Sequence, residues 1–441
     1  MKRACPLFAI ILSATLALGS DNCGAVKPES VGLSSERLER VDALISRHIV
    51  EKKIAGAVVL IARRGKIAYF RAFGLADIDK PMQKATIFRI ASMSKPLTST
   101  AIMLLYEEGR LLLSDKISQY IPEFRNPKVL ELLGEGADSK FKLVPAKREI
   151  TIQDLLCHTS GILYLFAADW YPDRRSELIT DLYKEAGITD GLCRPDETAG
   201  EMVKRLARMP LYGHPGEVWE YGLSTDVLGY LVEIISGVKL DEFMRLRLFK
   251  PLKMNDSCFY LQEDKLPRLS ALWETDWKGK LVRMAQGPQE SGKLCLNPSD
   301  AYETSGRYLS GGSGVLSTAY DYFRFCQMLL NNGELDGLRL LSRKTVELMT
   351  ATNHIGELNE SFVHGRGWKF GLGFAIQTDR AYDEDTRSPG VYEWAGIFST
   401  RFRIDPKEQE ITILMTQTSP FHHHYELWDR LLVLSASAII D

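Results

Sequence analysis

The 441-residue chain has little cysteine, and none of its cysteines is spaced to hold a metal. The seven cysteines include no Cys-x-x-Cys pair, which argues against a zinc site and against a dense disulfide scaffold. A single disulfide remains open, and the spacing does not indicate which two cysteines would form it. Three consecutive histidines, at 422–424, have no carboxylate motif beside them. We therefore predict no metal and no cofactor.

The sequence also has no excess of charge of one sign. Its 55 Lys and Arg residues nearly balance 57 Asp and Glu residues, for a net charge of −2. Without a basic patch or an arginine-rich run, neither a nucleic acid nor a stable membrane partner is predicted. No Gly-x-Ser-x-Gly motif occurs, which argues against the nucleophile elbow of an α/β-hydrolase. Charge indicates neither the substrate nor the oligomeric state.

The N-terminus predicts export. Lys2 and Arg3 precede a mostly apolar run, residues 7–18, that is too short to span a bilayer comfortably. Small residues up to Gly19 supply a cleavage site for a signal peptidase. Cleavage after Ala25 is a second option, and an uncleaved anchor is the alternative to export. We predict a signal peptide over residues 1–19 and a periplasmic or secreted mature protein.

The order of the local patterns predicts an α/β fold. A helical pattern that begins at Ser34 or Ser35 is followed by strand patterns at 57–62 and 67–73. From Thr98 to about Ser299 the pattern is mostly helical, apart from a charged, turn-rich stretch that suits a hairpin or a loop at 128–147. The remaining elements are strands at 371–376, 391–394, 398–404 and 411–416 and a helix at 425–439.

Strands at both ends of the chain suggest one shared sheet, because two small sheets would each be marginally stable alone. We therefore predict an antiparallel sheet built from both chain ends and flanked by helices. Residues 30–90 form the first part of this α/β region, and residues 301–441 form the second. Residues 91–300 form a mainly helical inserted region, with the functional site at the junction.

A Ser-x-x-Lys motif, Ser92 to Lys95, lies at the start of the predicted Thr98 helix. Residues i and i+3 share one face of a helix, so the lysine amine can reach the serine hydroxyl. A serine is a weak nucleophile until a base takes its proton, and a desolvated lysine can act as that base. Pro96 fits the first turn of a helix. On its own, this motif is equally compatible with a serine that caps the helix.

Five segments in the same order resemble those of the serine β-lactamase-like superfamily. That group includes class C β-lactamases, D-alanyl-D-alanine carboxypeptidases and family VIII carboxylesterases. The segments are residues 90–95 (IASMSK), 151–161 (TIQDLLCHTSG), 215–224 (PGEVWEYGLS), 311–318 (GGSGVLST) and 393–396 (EWAG). The resemblance implies a β-lactamase/transpeptidase-like fold and a reaction through an acyl-serine intermediate.

Carried over to this sequence, the resemblance implies three catalytic residues. Ser92 is the nucleophile, Lys95 its first partner and Tyr221 a second general base or acid. A phenol ionises near about pH 10, so Tyr221 acts as a base only if Lys95 stabilises its phenolate. The resemblance also implies an oxyanion hole formed by the backbone N–H groups of Ser92 and Ile397.

Two departures from the class C pattern indicate the substrate. Leu223 stands where class C β-lactamases have asparagine, and Trp394-Ala395-Gly396 stands where they have Lys-Thr-Gly. Leucine and tryptophan supply neither a hydrogen-bonding amide nor a positive charge for a substrate carboxylate. The pattern resembles the esterase branch, with these four residues at the substrate-binding site.

The function predicted from the sequence is therefore a carboxylesterase, or an acyltransferase, acting on small to medium esters. A β-lactam-like substrate defines the alternative, which is a β-lactamase or a D-alanyl-D-alanine carboxypeptidase. A further alternative is a catalytically silent, penicillin-binding-like sensor. His158 is expected to be structural, donating a hydrogen bond to the backbone. The stretch from Leu163 to Leu211, with the aromatic residues Tyr164, Phe166, Trp170 and Tyr171, is expected to help shape the pocket.

Overall fold

The computed structural model describes residues 24–136, 139–170, 172–193, 196–276, 278–301, 307–358, 367–377, 386, 388–419 and 424–441. The predicted signal peptide lies outside these residues. In this part of the chain, no helix is both long and apolar enough to cross a membrane.

The α-helices are α1 Ser35–Val50, α2 Ser94–Glu107, α3 Ile152–Leu156, α4 Ala167–Trp170, α5 Arg174–Glu185, α6 Ala199–Leu206, α7 Ser224–Ser236, α8 Leu240–Met244, α9 Ala319–Leu330, α10 Arg343–Thr350 and α11 His424–Ser437. Short 3-10 helices cover Pro28–Val31, Ala91–Met93, Ile117–Gln119, Pro122–Phe124, Glu263–Arg268 and Pro298–Ala301, and a π-helical turn covers Arg245–Phe249.

The strands are β1 Gly56–Arg63, β2 Lys66–Asp77, β3 Lys80–Pro81, β4 Phe88–Arg89, β5 Lys128–Leu133, β6 Lys140–Pro145, β7 Trp273–Thr275, β8 Leu281–Arg283, β9 Gln289–Ser291, β10 Leu294–Leu296, β11 Leu316–Ser317, β12 Glu334–Leu335, β13 Leu338–Arg339, β14 Trp368–Phe370, β15 Ala375–Gln377, β16 Tyr392–Gly396, β17 Thr400–Asp405, β18 Glu410–Met415 and β19 Thr418–Ser419.

One large antiparallel sheet joins the two ends of the chain. Its strand order is β14-β15-β16-β17-β18-β1-β2-β3. The two halves meet where β1 pairs with β18, from Val58 opposite Met415 to Arg63 opposite Glu410. The predicted shared sheet and α/β class are thus confirmed.

Strand β1 is buried on both faces because helices cover the sheet on both sides. Val59 and Ile61 point to one face, where they share an apolar cluster with Trp428 of α11 and with residues of α1. Val58 and Leu60 point to the other face and join the main core. This alternation follows from the two-residue period of a strand. The all-apolar sequence of β1 therefore suits the centre of a three-layer structure.

Some predicted elements match the structure and others need correction. The stretch at 128–147 forms a hairpin of β5 and β6. The helical pattern predicted up to Ser299 ends at Phe249, and the described residues beyond it, up to Ala301, form only short strands and 3-10 turns. The single strand predicted at 371–376 is wrong. Strands β14 and β15 instead form a hairpin that turns through Gly373, whose φ of 93° favours glycine.

The end of β16 places the sheet against the start of α2. A Cβ atom added to Gly396 would lie only 2.3 Å from the carbonyl oxygen of Ile90. Glycine therefore allows the strand to approach the backbone just before the Ser-x-x-Lys segment. The Thr400 hydroxyl strengthens this junction by donating to the same carbonyl at 3.3 Å.

Candidate active site

Ser92 lies in a tight 3-10 turn, Ala91–Met93, directly before α2. Ala91 and Met93 are fully buried, whereas Ser92 is half-buried. Ala91 has a φ of 43°, a strained conformation for a residue with a Cβ atom, and such strain is concentrated at functional sites. The turn is held in place because the Tyr322 hydroxyl donates to the Met93 carbonyl at 2.9 Å.

Lys95 lies within reach of Ser92, as the motif spacing predicts. Its Nζ atom is 3.0 Å from Ser92 Oγ and donates to the Gly312 carbonyl at 2.9 Å. The side chain is only 1 % exposed. Burial disfavours the charged amine and lowers the pKa of Lys95 to about 7. A substantial fraction of the lysine is therefore neutral, and able to accept a proton, near neutral pH.

Tyr221 completes the group that the motifs predict. Its phenol is in hydrogen-bonding contact with Ser92, and Lys95 Nζ lies 4.6 Å from the centre of its ring. Burial raises the pKa of Tyr221, and its contacts with Ser92, Trp394 and Tyr164 only partly oppose that shift. The free site therefore favours a neutral phenol, and Lys95 is the group better suited to be the base.

Two buried carboxylates near Lys95 were not found from the sequence. Asp226 Oδ1 accepts from the Ser310 hydroxyl at 2.5 Å and from the Gly312 N–H at 3.4 Å. Asp190 accepts from two backbone N–H groups of the 165–166 segment, and burial raises its pKa to about 7. The negative charges of both carboxylates raise the pKa of Lys95 and partly offset the effect of its burial.

Asp226 could have been suspected from its position in the sequence. It follows Tyr221 by five residues and lies in the first turn of α7, a mostly apolar helix. In that position an acidic residue ordinarily interacts with the helix N-terminus. Here its side chain is fully buried and lies against Gly312, where an added Cβ atom would be 2.5 Å from Asp226 Oδ2.

A second phenol, Tyr164, adjoins Tyr221. The two ring centres are 5.1 Å apart, and Lys95 Nζ lies 5.1 Å from the Tyr164 ring. Tyr164 stacks on Phe166 at 4.8 Å, and Phe166 contacts Trp170 at 4.5 Å. These three of the four aromatic residues expected to shape the pocket thus form a continuous row beside the proposed catalytic groups, and the fourth, Tyr171, lies outside the described residues.

Ile397 follows β16 and lies next to the nucleophile turn. Its side chain belongs to a small apolar cluster that also contains Ala91, the residue before Ser92. This placement is compatible with the predicted oxyanion hole. The cluster also contains Leu272, Met284, Leu296 and Phe398, with Trp170, Leu192 and Leu294 half-buried at its edge. We call this whole cluster, including Ala91 and Ile397, the acyl-side cluster.

The four predicted substrate-binding residues occupy different environments. Leu223 is 0 % exposed and lies in the main core beneath the site. Trp394 is 7 % exposed, and its ring contacts those of Tyr221 at 5.5 Å and Phe370 at 5.3 Å. Ala395 is half-buried, and Gly396 contacts the backbone at Ile90. Trp394 is thus the one whose side chain adjoins the proposed catalytic tyrosine.

His158 packs behind Tyr221, with the ring centres 4.9 Å apart. Its Nδ1 atom accepts from the Gly222 N–H at 3.4 Å, so the imidazole acts as acceptor rather than as the expected donor in this contact. Burial lowers the pKa of His158 and favours the neutral ring. The histidine therefore supports the backbone that carries Tyr221.

The described residues include no group of three or more His, Cys, Asp or Glu side chains arranged to hold a metal. His422 and His423 lie outside those residues. The chemistry that the site does offer is a nucleophilic hydroxyl beside a partly neutral amine and a neutral phenol. Such a group suits acyl transfer to serine.

Comparisons with known proteins agree with this geometry. A family model described as Beta-lactamase matches residues 41–436. Esterase EstB of Burkholderia gladioli is 31 % identical over 405 residues, covering 90 % of this chain and 94 % of that protein. An uncharacterised protein of Mycobacterium tuberculosis is 33 % identical over 378 residues, covering 83 % of this chain and 86 % of its own length.

A solved structure, that of EstCE1, extends the comparison to the fold. It is described as a hydrolase with promiscuous acyltransferase activity. It superimposes on the chain with a TM-score of 0.74 at 27 % identity, covering 92 % of this chain and 98 % of that one. The similarity thus extends over nearly the whole length of both proteins.

Proposed function

The chain belongs to the Beta-lactamase family and is a serine hydrolase related to esterases and acyltransferases, and we propose the reaction that its site catalyses. The reaction is hydrolysis of a neutral carboxylic ester through an acyl-Ser92 intermediate. The observation that carries the proposal is the 3.0 Å separation of Lys95 Nζ from Ser92 Oγ, at a buried position that lowers the pKa of the amine.

In the first half-reaction, neutral Lys95 takes the proton of Ser92, and Oγ attacks the ester carbonyl carbon. The backbone N–H groups of Ser92 and Ile397 stabilise the resulting oxyanion. The bond to the alcohol breaks, and the departing oxygen receives the proton held by Lys95. Tyr221, whose hydroxyl both donates and accepts, relays this proton while remaining neutral.

In the second half-reaction, water attacks the acyl-Ser92 carbonyl and loses its proton to Lys95 through Tyr221. The bond to Oγ then breaks, Oγ regains the proton, and the acid leaves. An alcohol in place of water gives acyl transfer by the same steps. EstCE1, a hydrolase with promiscuous acyltransferase activity, combines both reactions.

The apolar composition of the acyl-side cluster favours a substrate with an uncharged acyl group. Its half-buried members, Trp170, Leu192 and Leu294, pack against the cluster that contains Ala91, the residue before Ser92. Apolar side chains stabilise an alkyl chain by about 0.8 kcal/mol for each buried methylene group. Trp394 adds a further apolar surface next to Tyr221.

Labelling with a fluorophosphonate tests the nucleophile. Wild-type protein should be labelled on Ser92 and should hydrolyse p-nitrophenyl butyrate, and Ser92→Ala should lose both properties. Ser94→Ala is the matched control, because the Ser94 hydroxyl accepts a structural hydrogen bond from the Val315 N–H at 3.0 Å. A labelled and active Ser92→Ala protein would end the proposal.

We also propose export through the leader at residues 1–19. The support is the Lys2-Arg3 pair followed by the apolar run at 7–18. N-terminal sequencing of protein recovered from the periplasm or the medium should give a chain that begins near Ser20. An intact Met1 on all of the protein would refute export by cleavage.

A further inference from the structure

The segment after Asp190 lies against strand β10. The Asn297 N–H donates to the Leu192 carbonyl at 3.0 Å, which places Cys193 beside the strand that carries Cys295. The two thiols are in hydrogen-bonding contact, and both side chains are half-buried. The fold thus brings together two free thiols that lie about a hundred positions apart in the sequence.

The other cysteines of the described chain have different surroundings. Cys157 and Cys326 are fully buried, and burial raises the pKa of each thiol. A buried neutral thiol is a poor nucleophile for exchange with a disulfide. Cys258 is half-buried, and its backbone pairs with Leu316 rather than with a segment that carries cysteine.

We propose that Cys193 and Cys295 form a disulfide in the oxidised protein, and that this bond fixes one wall of the acyl-binding side of the site. Formation requires an external oxidant, which we take to be a small-molecule disulfide such as oxidised glutathione. The compartment expected for an exported protein favours such bonds.

The reaction proceeds in two exchange steps. The Cys295 thiolate attacks one sulfur of the oxidant, forming a mixed disulfide and releasing one thiol. The Cys193 thiolate then attacks the Cys295 sulfur and releases the second thiol, so two protons and two electrons leave the protein. Because the two thiols are in contact, the second sulfur lies within reach of the mixed disulfide that the first exchange forms.

The disulfide would keep this side of the site in place because each cysteine is adjacent in sequence to residues of the acyl-side cluster. Leu192 precedes Cys193, and Leu294 and Leu296 flank Cys295 on β10. These leucines share the cluster with Ala91, next to the nucleophile. This part of the inference rests on the proposed esterase function, whereas formation of the bond does not.

The same segment also contacts the backbone that holds Lys95. The Ser313 hydroxyl donates to the Gly191 carbonyl at 3.2 Å, and Ser313 follows Gly312, whose carbonyl accepts from Lys95. A disulfide at Cys193, two residues after Gly191, would therefore restrict movement of the Gly191 segment and of the Gly312–Ser313 backbone that it contacts.

Peptide mapping tests the bond directly. Full-length protein equilibrated with oxidised glutathione, then alkylated and digested without reductant, should give a peptide that links Cys193 to Cys295. Reduction should abolish this peptide, release two thiols and lower Tm by several degrees. Cys193→Ser/Cys295→Ser should show no Tm change with reductant, whereas Cys258→Ser, the control, should respond like the wild type. Separately alkylated Cys193 and Cys295 after oxidation would overturn the proposal.

Measurements of activity test whether the disulfide fixes the wall of the acyl-binding side. We expect reduction to lower the ratio of kcat/KM for an octanoate ester over an acetate ester by about threefold or more, a fraction of the effect of one methylene group in an apolar pocket. The double variant should show the lower ratio with or without reductant. If the linked peptide is present but reduction leaves the ratio unchanged, the proposed effect of the disulfide on the acyl-binding side is wrong. Absence of any esterase activity would instead contradict the proposed function, with the mapping result still valid.

Discussion

The amine of Lys95 is subject to opposing electrostatic influences. Burial lowers its pKa, whereas the nearby carboxylates Asp226 and Asp190 raise it. The rings of Tyr164 and Tyr221 also face the amine, and both phenols are neutral because burial raises their pKa values. The balance leaves the amine able to lose its proton near neutral pH, where it can accept one from Ser92.

The pH dependence of activity follows from this balance. We predict that kcat/KM for p-nitrophenyl butyrate rises with pH through about 7, as Lys95 loses its proton. Asp226→Asn removes a negative charge that raises the pKa of Lys95, so this acidic limb should move to lower pH. Asp181→Asn, on the exposed surface of α5, should leave the profile unchanged. A limb that moves to higher pH in Asp226→Asn would contradict the assignment.

Lys95 and Tyr221 should behave as one catalytic unit. We predict that Lys95→Ala and Tyr221→Phe each lower kcat by about 10²-fold or more, the usual cost of losing general acid–base catalysis. The double variant should lose less than the product of the two effects, because both residues move the same proton. The measurement is single-turnover acylation and deacylation with an activated ester. Full activity in Tyr221→Phe would make the tyrosine purely structural.

The catalytic groups differ in how far the sequence could reveal them. Ser92 and Lys95 lie three residues apart, so helical geometry alone brings them together, as the 3.0 Å contact shows. Asp226 and Tyr164 reach the site only through packing against the 310–313 segment and Tyr221. No local spacing carries that information, because it depends on contacts between residues distant in sequence.

Among the elements, the TIQDLLCHTSG segment has a clear structural explanation. Thr151 caps α3, and its hydroxyl and the Asp154 side chain form a reciprocal capping box. Asp154 also accepts two hydrogen bonds from Arg148 and one from the Thr159 hydroxyl, which fixes the turn that leads to His158. Because His158 packs against Tyr221, this cap supports the site from behind.

Removing the Asp154 carboxylate should destabilise the fold. We predict that Asp154→Ala lowers the free energy of unfolding by about 1–3 kcal/mol, since several donors lose their acceptor at a buried position. Urea denaturation followed by circular dichroism measures the change. Glu347→Ala, which removes an exposed ion pair with Lys344 on α10, should have a much smaller effect, because solvent screens the charges of an exposed pair. Equal effects in the two variants would contradict a structural role for the cap.

Elements with strong local signals were predicted well, and those set by tertiary contacts were not. The Ser34 cap accepts from the Arg37 N–H, and the α1 pattern matches its buried face. By contrast, the apolar stretch at 371–376 contains two glycines, and packing against α10 turns it into a hairpin. A Cβ atom on Gly371 would lie 2.1 Å from the Met349 carbonyl oxygen. Apolar content alone does not distinguish these outcomes.

At the scale of the whole molecule, the site depends on both ends of the chain. Strand β1 from the N-terminal part lies between β2 and β18, and β16 from the C-terminal part contacts the backbone just before Ser92. The helical region supplies Tyr221 and Asp226 from the opposite side. The proposed site therefore lies between the end of the shared sheet and the helical region that carries Tyr221 and Asp226.

That arrangement leads to a prediction about substrate class. The two positions at which class C β-lactamases carry an asparagine and a lysine are occupied by Leu223, in the core, and Trp394, packed on Tyr221. Neither side chain carries a positive charge that could form an ion pair with the carboxylate of a penicillin. We predict that kcat/KM for a butyrate ester exceeds that for benzylpenicillin at least tenfold, which is about 1.4 kcal/mol in transition-state stabilisation.

Benzylpenicillin methyl ester is the matched control, because it keeps the lactam ring and lacks the negative charge. If the unpaired carboxylate is what limits reaction, ring opening should be faster for the methyl ester than for the free acid. Mass spectrometry separates the two possible reactions, since ring opening adds one water and ester cleavage removes the methyl group. A preference for free benzylpenicillin over the butyrate ester by tenfold or more would instead favour a β-lactamase, with the carboxylate bound by groups other than residues 223 and 394.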